Sequence, residues 1–182
     1  MRAEPLALPG VLLIEHQVFE DERGGFFEGW NERAFAAAGI DARFVQENVS
    51  RSRRFVMRGL HYQIRHPQGK LVRVLAGEIF DVVVDLRRSS PSFGRSLAVT
   101  LDSSTARSLW VPPGFAHGFL ALADDTRVQY KVTDIWSREA ERTLQWDDPA
   151  LAIRWPLPAG TAPLLSAKDR EGLPLARAEC FP

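Results

Sequence analysis

From about residue 42 onward, apolar and polar side chains alternate with a period of two. That is the spacing at which a half-buried strand turns one face to a core. The stretch KLVRVLAGEIFDVVVDLRRSSPSFG reads as a strand, a turn at Gly77, a second strand and a Ser-Pro loop. In the second strand Ile79, Asp81, Val83 and Asp85 point one way, and Phe80, Val82, Val84 and Leu86 the other. SLAVTLD, ARSLWVPPG, FAHGFLALADD and TRVQYKVTDIW follow, each short and bounded by turn residues. Strands at this spacing predict a sandwich or barrel. One early helix is expected over NERAFAAAG, where Asn31 caps the start and Gly39 can stop it. DDPALAI and SAKDREG each suit a short helix or turn. The pattern predicts one mainly β, mostly antiparallel domain over residues 1–182 with a small helical fringe.

A small barrel either fills its interior with side chains or holds one small ligand there. Several strands carry polar groups where a filled core wants aliphatic ones: His61, Lys70, Arg73, His117, Gln129, Tyr130 and Lys131. Burying all of them unpaired would cost several kcal/mol. Some must face out, and the rest must meet a polar ligand or each other. Parity puts Gln129 and Lys131 on one face and Tyr130 on the other, so the three cannot line one cavity.

Composition narrows the classes. Of 182 residues, 45% are hydrophobic and 25% charged, an ordinary globular balance. Lys+Arg and Asp+Glu both number 23, so no net charge points to nucleic acid or a membrane surface, although a local basic pocket is compatible. No apolar run is long enough for a spanning helix, and MRAEPLALPG lacks the features of a signal peptide. With Cys180 as the single cysteine, no internal disulfide forms, and a cytoplasmic location is expected. A nucleophilic role for a cysteine so near the tail is not favoured. Five Trp and eleven Phe predict an aromatic-rich interior.

Four histidines are available for chemistry. His16 and His66 read as structural or surface residues. His61 in RGLHYQ and His117 in PPGFAHGF can each face a cavity. A metal-binding barrel usually offers two His one residue apart on a strand, but the second position here is Gln63 and no HxH occurs. No metal is expected, which frees His61 to act as a base, since its ordinary pKa near 6.5 suits proton transfer at neutral pH. Such a base needs an orienting carboxylate, and Asp169, Asp81 and Asp85 are the contenders. Of the two tyrosines, Tyr62 neighbours His61 in a strand and points away from it, so Tyr130 is the better acid. Arg23, Arg58 and Lys70 lie near glycines, where backbone can approach a ligand closely. Guanidinium groups there can pair with phosphate. Neither GxxxxGK[ST] nor GxGxxG is present.

Several segments in one order carry a resemblance: RGGFFE, QENVSRSRRFVMRGLHYQ, PQGKLVRVLAGEIFDVVVDLRRSSPSFG, VPPGFAHGF, YKVTD, WDDPALAIRWP and LSAKD. Together they resemble the dTDP-4-dehydrorhamnose 3,5-epimerase family over nearly the full chain. The resemblance implies a cupin-type antiparallel β-barrel (a jelly roll). It also implies a homodimer that acts on dTDP-4-keto-6-deoxyglucose without metal or cofactor. It assigns His61 as proton acceptor, Asp169 as its dyad partner, Tyr130 as proton donor on the opposite face and Lys70 as the cation near the C4 oxygen. Arg23, Glu28, Gln46, Asn48 and Arg58 match substrate contacts, with Arg58 at the diphosphate and some N-terminal contacts coming from the neighbouring subunit. His117, Glu141 and Lys168 match further ligand contacts. Two positions depart from the family pattern. Glu47 replaces the usual Asp of QDN, and Trp136 replaces a common Tyr that stacks near the sugar or base. A Trp keeps the stacking face and loses the phenol. This second departure keeps in view a mono-epimerase inverting C3 or C5 alone; a non-catalytic sugar-nucleotide-binding cupin is a separate alternative, which the presence of His61, Asp169 and Tyr130 disfavours.

Overall fold

The computed structural model covers residues 1–182. Its strands are β1 (Arg2–Pro5), β2 (Leu12–Glu15), β3 (Val18–Asp21), β4 (Gly24–Phe27), β5 (Gln46–Ser52), β6 (Met57–Gln63) and β7 (Lys70–Ala76). After these come β8 (Glu78–Asp85), β9 (Ser96–Asp102), β10 (Arg107–Val111), β11 (Phe115–Ala121), β12 (Thr126–Val132) and β13 (Glu141–Thr143). The helices are α1 (Glu32–Ala37), α2 (Ala167–Arg170) and one 3-10 turn at Pro149–Leu151. The Asn31 side chain caps α1 by accepting from the Ala34 N–H, as the sequence predicts.

Two antiparallel sheets form the body. One runs β1-β2-β10-β7-β12-β5, the other β13-β6-β11-β8-β9, and β3 and β4 form a separate hairpin. β7 and β8 are consecutive in the chain but do not pair. β7 lies between β10 and β12, and β8 between β9 and β11. The Gly77 link therefore crosses from one sheet to the other. It has φ +79°, and a Cβ there would come within 2.5 Å of the Thr126 hydroxyl, so only glycine makes this crossing without strain.

The parity read along β8 is what stitches the layers together. Ile79 and Val83 join a cluster of twelve buried residues between the sheets, with Val72, Val74, Leu109, Val111, Phe115 and Val128 among them. Val82, Val84 and Leu86 point outward into a second cluster, covered by Leu144, Leu151 and the C-terminal segment around Phe181. A third cluster, holding Phe35 of α1 and Trp110 of β10, covers part of the other sheet's outer face. The expected aromatic interior is corrected. The fully buried aromatics are Phe35, Tyr62, Trp110, Phe115 and Phe119, and the rest of the buried apolar core is aliphatic. Most Trp and Phe lie half-buried or exposed, because they cover the outer faces of the sheets, as Trp30, Phe44, Phe80, Trp155 and Phe181 do, or sit in the β3–β4 hairpin, as Phe19 and Phe26 do.

The interior is divided along its length. The twelve-residue apolar cluster closes one part of the space between the sheets. Elsewhere the inward positions of β5, β6, β7, β11 and β12 carry polar side chains around an open cavity. Burying a Val or Leu contributes about 1.5–3 kcal/mol, so the apolar part offsets the cost of the polar one.

Candidate active site

The cavity has a volume of about 460 Å³. Strand register explains who lines it. Asn48 of β5 and Val72 of β7 lie opposite Tyr130 of β12, while Gln46 and Lys70 lie opposite Val132. Those inward positions bring Gln46, Asn48, Tyr130 and Lys70 to one wall. The facing wall comes from the other sheet, where His61 of β6 pairs in register with His117 of β11. Gln129, Lys131 and Arg73 turn to the outer side, where they line a separate shallow cleft. Tyr130 is thus parted from Gln129 and Lys131, as strand alternation predicts.

The choice among three carboxylates is resolved by contact. His61 Nε2 lies 2.6 Å from Asp169 Oδ1. Asp81 is bound instead to His117 Nε2, at 2.9 and 3.0 Å. Asp85 accepts from Arg87, Ser90 and Ser92. Burial would raise the Asp85 carboxyl, but these bonds bring it down to about 2, in a purely structural turn. Asp169 reaches His61 from α2, whose N-cap is Ser166. The Ser166 hydroxyl donates to Asp169 Oδ2 at 2.6 Å and accepts from the Asp169 N–H at 3.2 Å. The Gly59 N–H, at 3.4 Å, completes the carboxylate's surroundings. Burial pushes Asp169 up, and the bonds from His61 and Ser166 outweigh it, so the group stays below its ordinary value.

His61 experiences the opposite balance. Burial lowers its pKa, the Asp169 bond raises it, and burial wins. The imidazole is therefore neutral at pH 7 with Nε2–H directed to Asp169. Nδ1 has no protein partner, and the ring lines the cavity. This is the arrangement of an oriented general base. Across the cavity Tyr130 carries a hydroxyl with no protein partner, and burial raises its pKa, so it holds its proton at neutral pH. Tyr62 is excluded from the role because its hydroxyl donates to the Glu179 carbonyl at 2.7 Å and burial pushes it up to about 12.

Lys70 is 7% exposed, and its ammonium donates to the His61 carbonyl at 3.0 Å. Burial lowers it to about 8, against the supporting charges of Asp81 and Glu141. Its other N–H bonds have no protein acceptor. Around the cavity Arg58 is held by Ser52 and the Arg51 carbonyl, and Lys168 pairs with Glu141 at 2.9 Å. The Trp136 N–H donates to Gln46 Oε1 at 2.9 Å, and Gln63 accepts from the next N–H at Ser137. Trp136 thus lines the cavity on a segment tied to two strands, with its side chain half exposed.

Eleven of the thirteen residues singled out from sequence line this one cavity, and Arg23 and Glu28 do not. Arg23 pairs with Asp21 in the β3–β4 hairpin, and Glu28 accepts from Asn31. Glu47, one of the two departures, pairs with Lys131 outside the cavity. Sequence reasoning missed Ser166, although S-A-K-D is a capping pattern with the acid at the third helical position. It also missed the clamp by Gln63, which has no local signature. No three His, Cys, Asp or Glu side chains converge as a metal-ligand set.

Comparison with known proteins now decides the family. Residues 5–177 match the model for dTDP-4-dehydrorhamnose 3,5-epimerase. The chain belongs to this family. A dTDP-4-dehydrorhamnose 3,5-epimerase of Pseudomonas aeruginosa is 55% identical over all of both chains. Among solved structures, the dTDP-6-deoxy-D-glucose-3,5-epimerase of Legionella pneumophila, in complex with dTDP-4-keto-L-rhamnose, superposes with a TM-score of 0.93. It is 42% identical and covers 98% of this chain and 94% of its own. A 3'-monoepimerase from Streptomyces bikiniensis, in complex with dTDP-quinovose, follows at 34% identity and a TM-score of 0.88, covering 94% and 87%. The family's cupin-type β fold is the architecture described above. No helix is long and apolar enough to cross a membrane.

Proposed function

We propose that residues 1–182 act as one isomerase domain that inverts C3 and C5 of dTDP-4-keto-6-deoxyglucose. The product is dTDP-4-keto-L-rhamnose, within dTDP-L-rhamnose biosynthesis. The observation that carries this reading is the arrangement around the cavity: neutral His61 of β6 backed by Asp169 of α2, protonated Tyr130 of β12 on the other sheet, and the Lys70 ammonium, which reaches from β7 to the His61 carbonyl.

C3 and C5 flank the C4 ketone, so each C–H bond breaks to leave an enolate. His61 Nδ1 takes the proton and becomes an imidazolium, which Asp169 stabilises. The electron pair moves to the C4 oxygen beside the Lys70 ammonium, a fixed cation in a partly enclosed site. Tyr130 returns a proton to the carbon from the opposite face, which inverts it. Each cycle leaves His61 with an extra proton and Tyr130 without one, and exchange with solvent resets both. The general acid and general base each contribute about 10²–10⁴-fold. Binding of the remote nucleotide supplies orientation, with Arg58 taking the diphosphate and Trp136 offering a stacking face.

The site is completed by a second copy of the chain. Arg23 and Glu28 lie outside their own cavity, on and beside a hairpin that exposes Phe19 at 57% and Phe26 at 70%. Such a hairpin suits contact with a neighbouring subunit, where its polar residues would approach the partner's cavity.

The test is turnover in D₂O with dTDP-4-keto-6-deoxyglucose, read by proton NMR. Solvent deuterium at C3 and C5 with inverted product is the expected result. Deuterium at one carbon alone would assign a mono-epimerase, and none at either, with substrate bound, would leave a binding protein.

A further inference from the structure

Between β12 and β13 the chain runs outside the sheets. Residues 133–137 form an irregular strap, and Trp136 on it lines the cavity with 49% of its surface exposed. The indole neither belongs to nor packs against any of the three buried apolar clusters. Its polar neighbour Glu141 is already paired with Lys168 at 2.9 Å. Side-chain packing therefore leaves the place of the ring to the backbone that carries it.

Side-chain amides hold that backbone where a strand would use a ladder. Gln68 donates to the Asp134 carbonyl at 2.8 Å, and Gln46 accepts from the Trp136 N–H at 2.9 Å. Gln63 makes two such bonds: Nε2 donates to the Ile135 carbonyl at 3.4 Å, and Oε1 accepts from the Ser137 N–H at 2.7 Å. These two contacts bracket Trp136. The other Nε2 hydrogen goes to the His66 carbonyl at 2.9 Å. Gln63 is 2% exposed, whereas Gln46 and Gln68 are half-buried, so it is the most firmly seated of the three anchors. With both N–H donors and the oxygen engaged within the protein, its effect on a ligand passes through the strap.

We propose that Gln63 is a positioning residue for nucleotide binding: by bracketing Trp136 it fixes the indole at the cavity as a stacking platform for the planar base. A half-exposed aromatic face beside a cavity suits any base, because every base has a π-face. The platform rests on the sugar-nucleotide reading above; the fixing of the ring by Gln63 does not.

Two measurements test these parts separately. Protein labelled with ¹⁵N at the indoles gives signals from Trp30, Trp110, Trp136, Trp146 and Trp155, and Trp136→Phe assigns that of Trp136. In ligand-free Gln63→Met the Trp136 signal is expected to move or broaden while the other four hold. An unchanged Trp136 signal would overturn the proposal, and so would an equal change in all five. Calorimetry with dTDP reads the consequence as a double-mutant cycle. Trp136→Ala is expected to weaken binding about fivefold or more. Gln63→Met should weaken it by a comparable factor in the wild-type background, and by less than about twofold when Trp136 is already Ala. Equal weakening in both backgrounds, or none in the first, overturns the role. Should Gln63→Met not fold, amide exchange in the wild type decides: the Ser137 N–H is expected to exchange more slowly than those of Arg138 and Glu139, which make no such bond. Equal rates at the three would overturn it. If wild-type protein does not bind dTDP, the sugar-nucleotide reading and the platform fall together, whereas Trp136→Ala binding dTDP as tightly as wild type overturns the platform alone.

Discussion

His61 and Lys70 are both shifted by burial, and both shifts favour the reactive form of the base while limiting the cation. The base must be neutral and the cation charged. Activity is therefore lost as pH falls through the His61 pKa, which burial sets below the ordinary value. It is lost again as pH rises through that of Lys70, near 8. A bell-shaped kcat/KM with its acid limb below about 6.5 and its alkaline limb near 8 is expected from a pH–rate series. Substitution separates chemistry from binding. His61→Asn and Tyr130→Phe should each lower kcat by about 10²–10⁴-fold while dTDP-sugar still binds by calorimetry. Arg58→Ala should chiefly weaken that binding. Equal binding loss in all three would count against the assigned roles. Residue identity made most of this legible: a His without a neighbouring HxH partner, one suitably placed Tyr, and a Lys next to a glycine.

Two short elements hold these residues in place. Helix α2 spans four residues, so its start is most of its stability, and Ser166 is both its cap and a donor to Asp169. Ser166→Ala should cost about 0.5–2 kcal/mol in thermal unfolding. It should also lower kcat more than it raises KM, because Asp169 loses a partner and His61 its fixed orientation. The close approach of β6 to its antiparallel neighbour β11, where the register shifts between His117 and Phe119, is held by two glycines, Gly59 and Gly118. Gly59 has φ +121°, and a Cβ on it would lie 2.6 Å from Gly118 Cα and 2.8 Å from the His117 carbonyl. Gly59→Ala should destabilise by about 2 kcal/mol or more, measured by denaturant unfolding. It should impair turnover even where the fold survives, since His61 is two residues along the strand. At this scale the alternation of β8 and the cap of α1 could be read in advance. The sheet crossing at Gly77 could not, because a turn glycine looks the same whether it joins paired strands or separate sheets.

On the scale of the whole molecule, the prediction concerns assembly. Arg23 and Glu28 fall outside the cavity of their own chain, so a subunit exchange should be visible in mixtures. If His61→Asn and Arg23→Ala chains are each weakly active, unfolding and refolding them together should restore activity through sites that combine the two intact halves. Light scattering should report a dimer. Failure of complementation in a proven mixed dimer would leave Arg23 without a role across the interface. By itself the sequence determined the period-two strands, the faces of β8, the α1 cap and the residue types able to move a proton. These depend on local geometry and on side-chain chemistry, which travel with the chain. Only the tertiary structure decided which of three aspartates meets His61, and which partly aromatic surfaces stay outside. It also decided that Tyr130 and Lys70 share one cavity with His61. Those relations join residues as much as 108 positions apart, as His61 and Asp169 are. They are set by sheet order and crossing, which alternation along a strand does not encode.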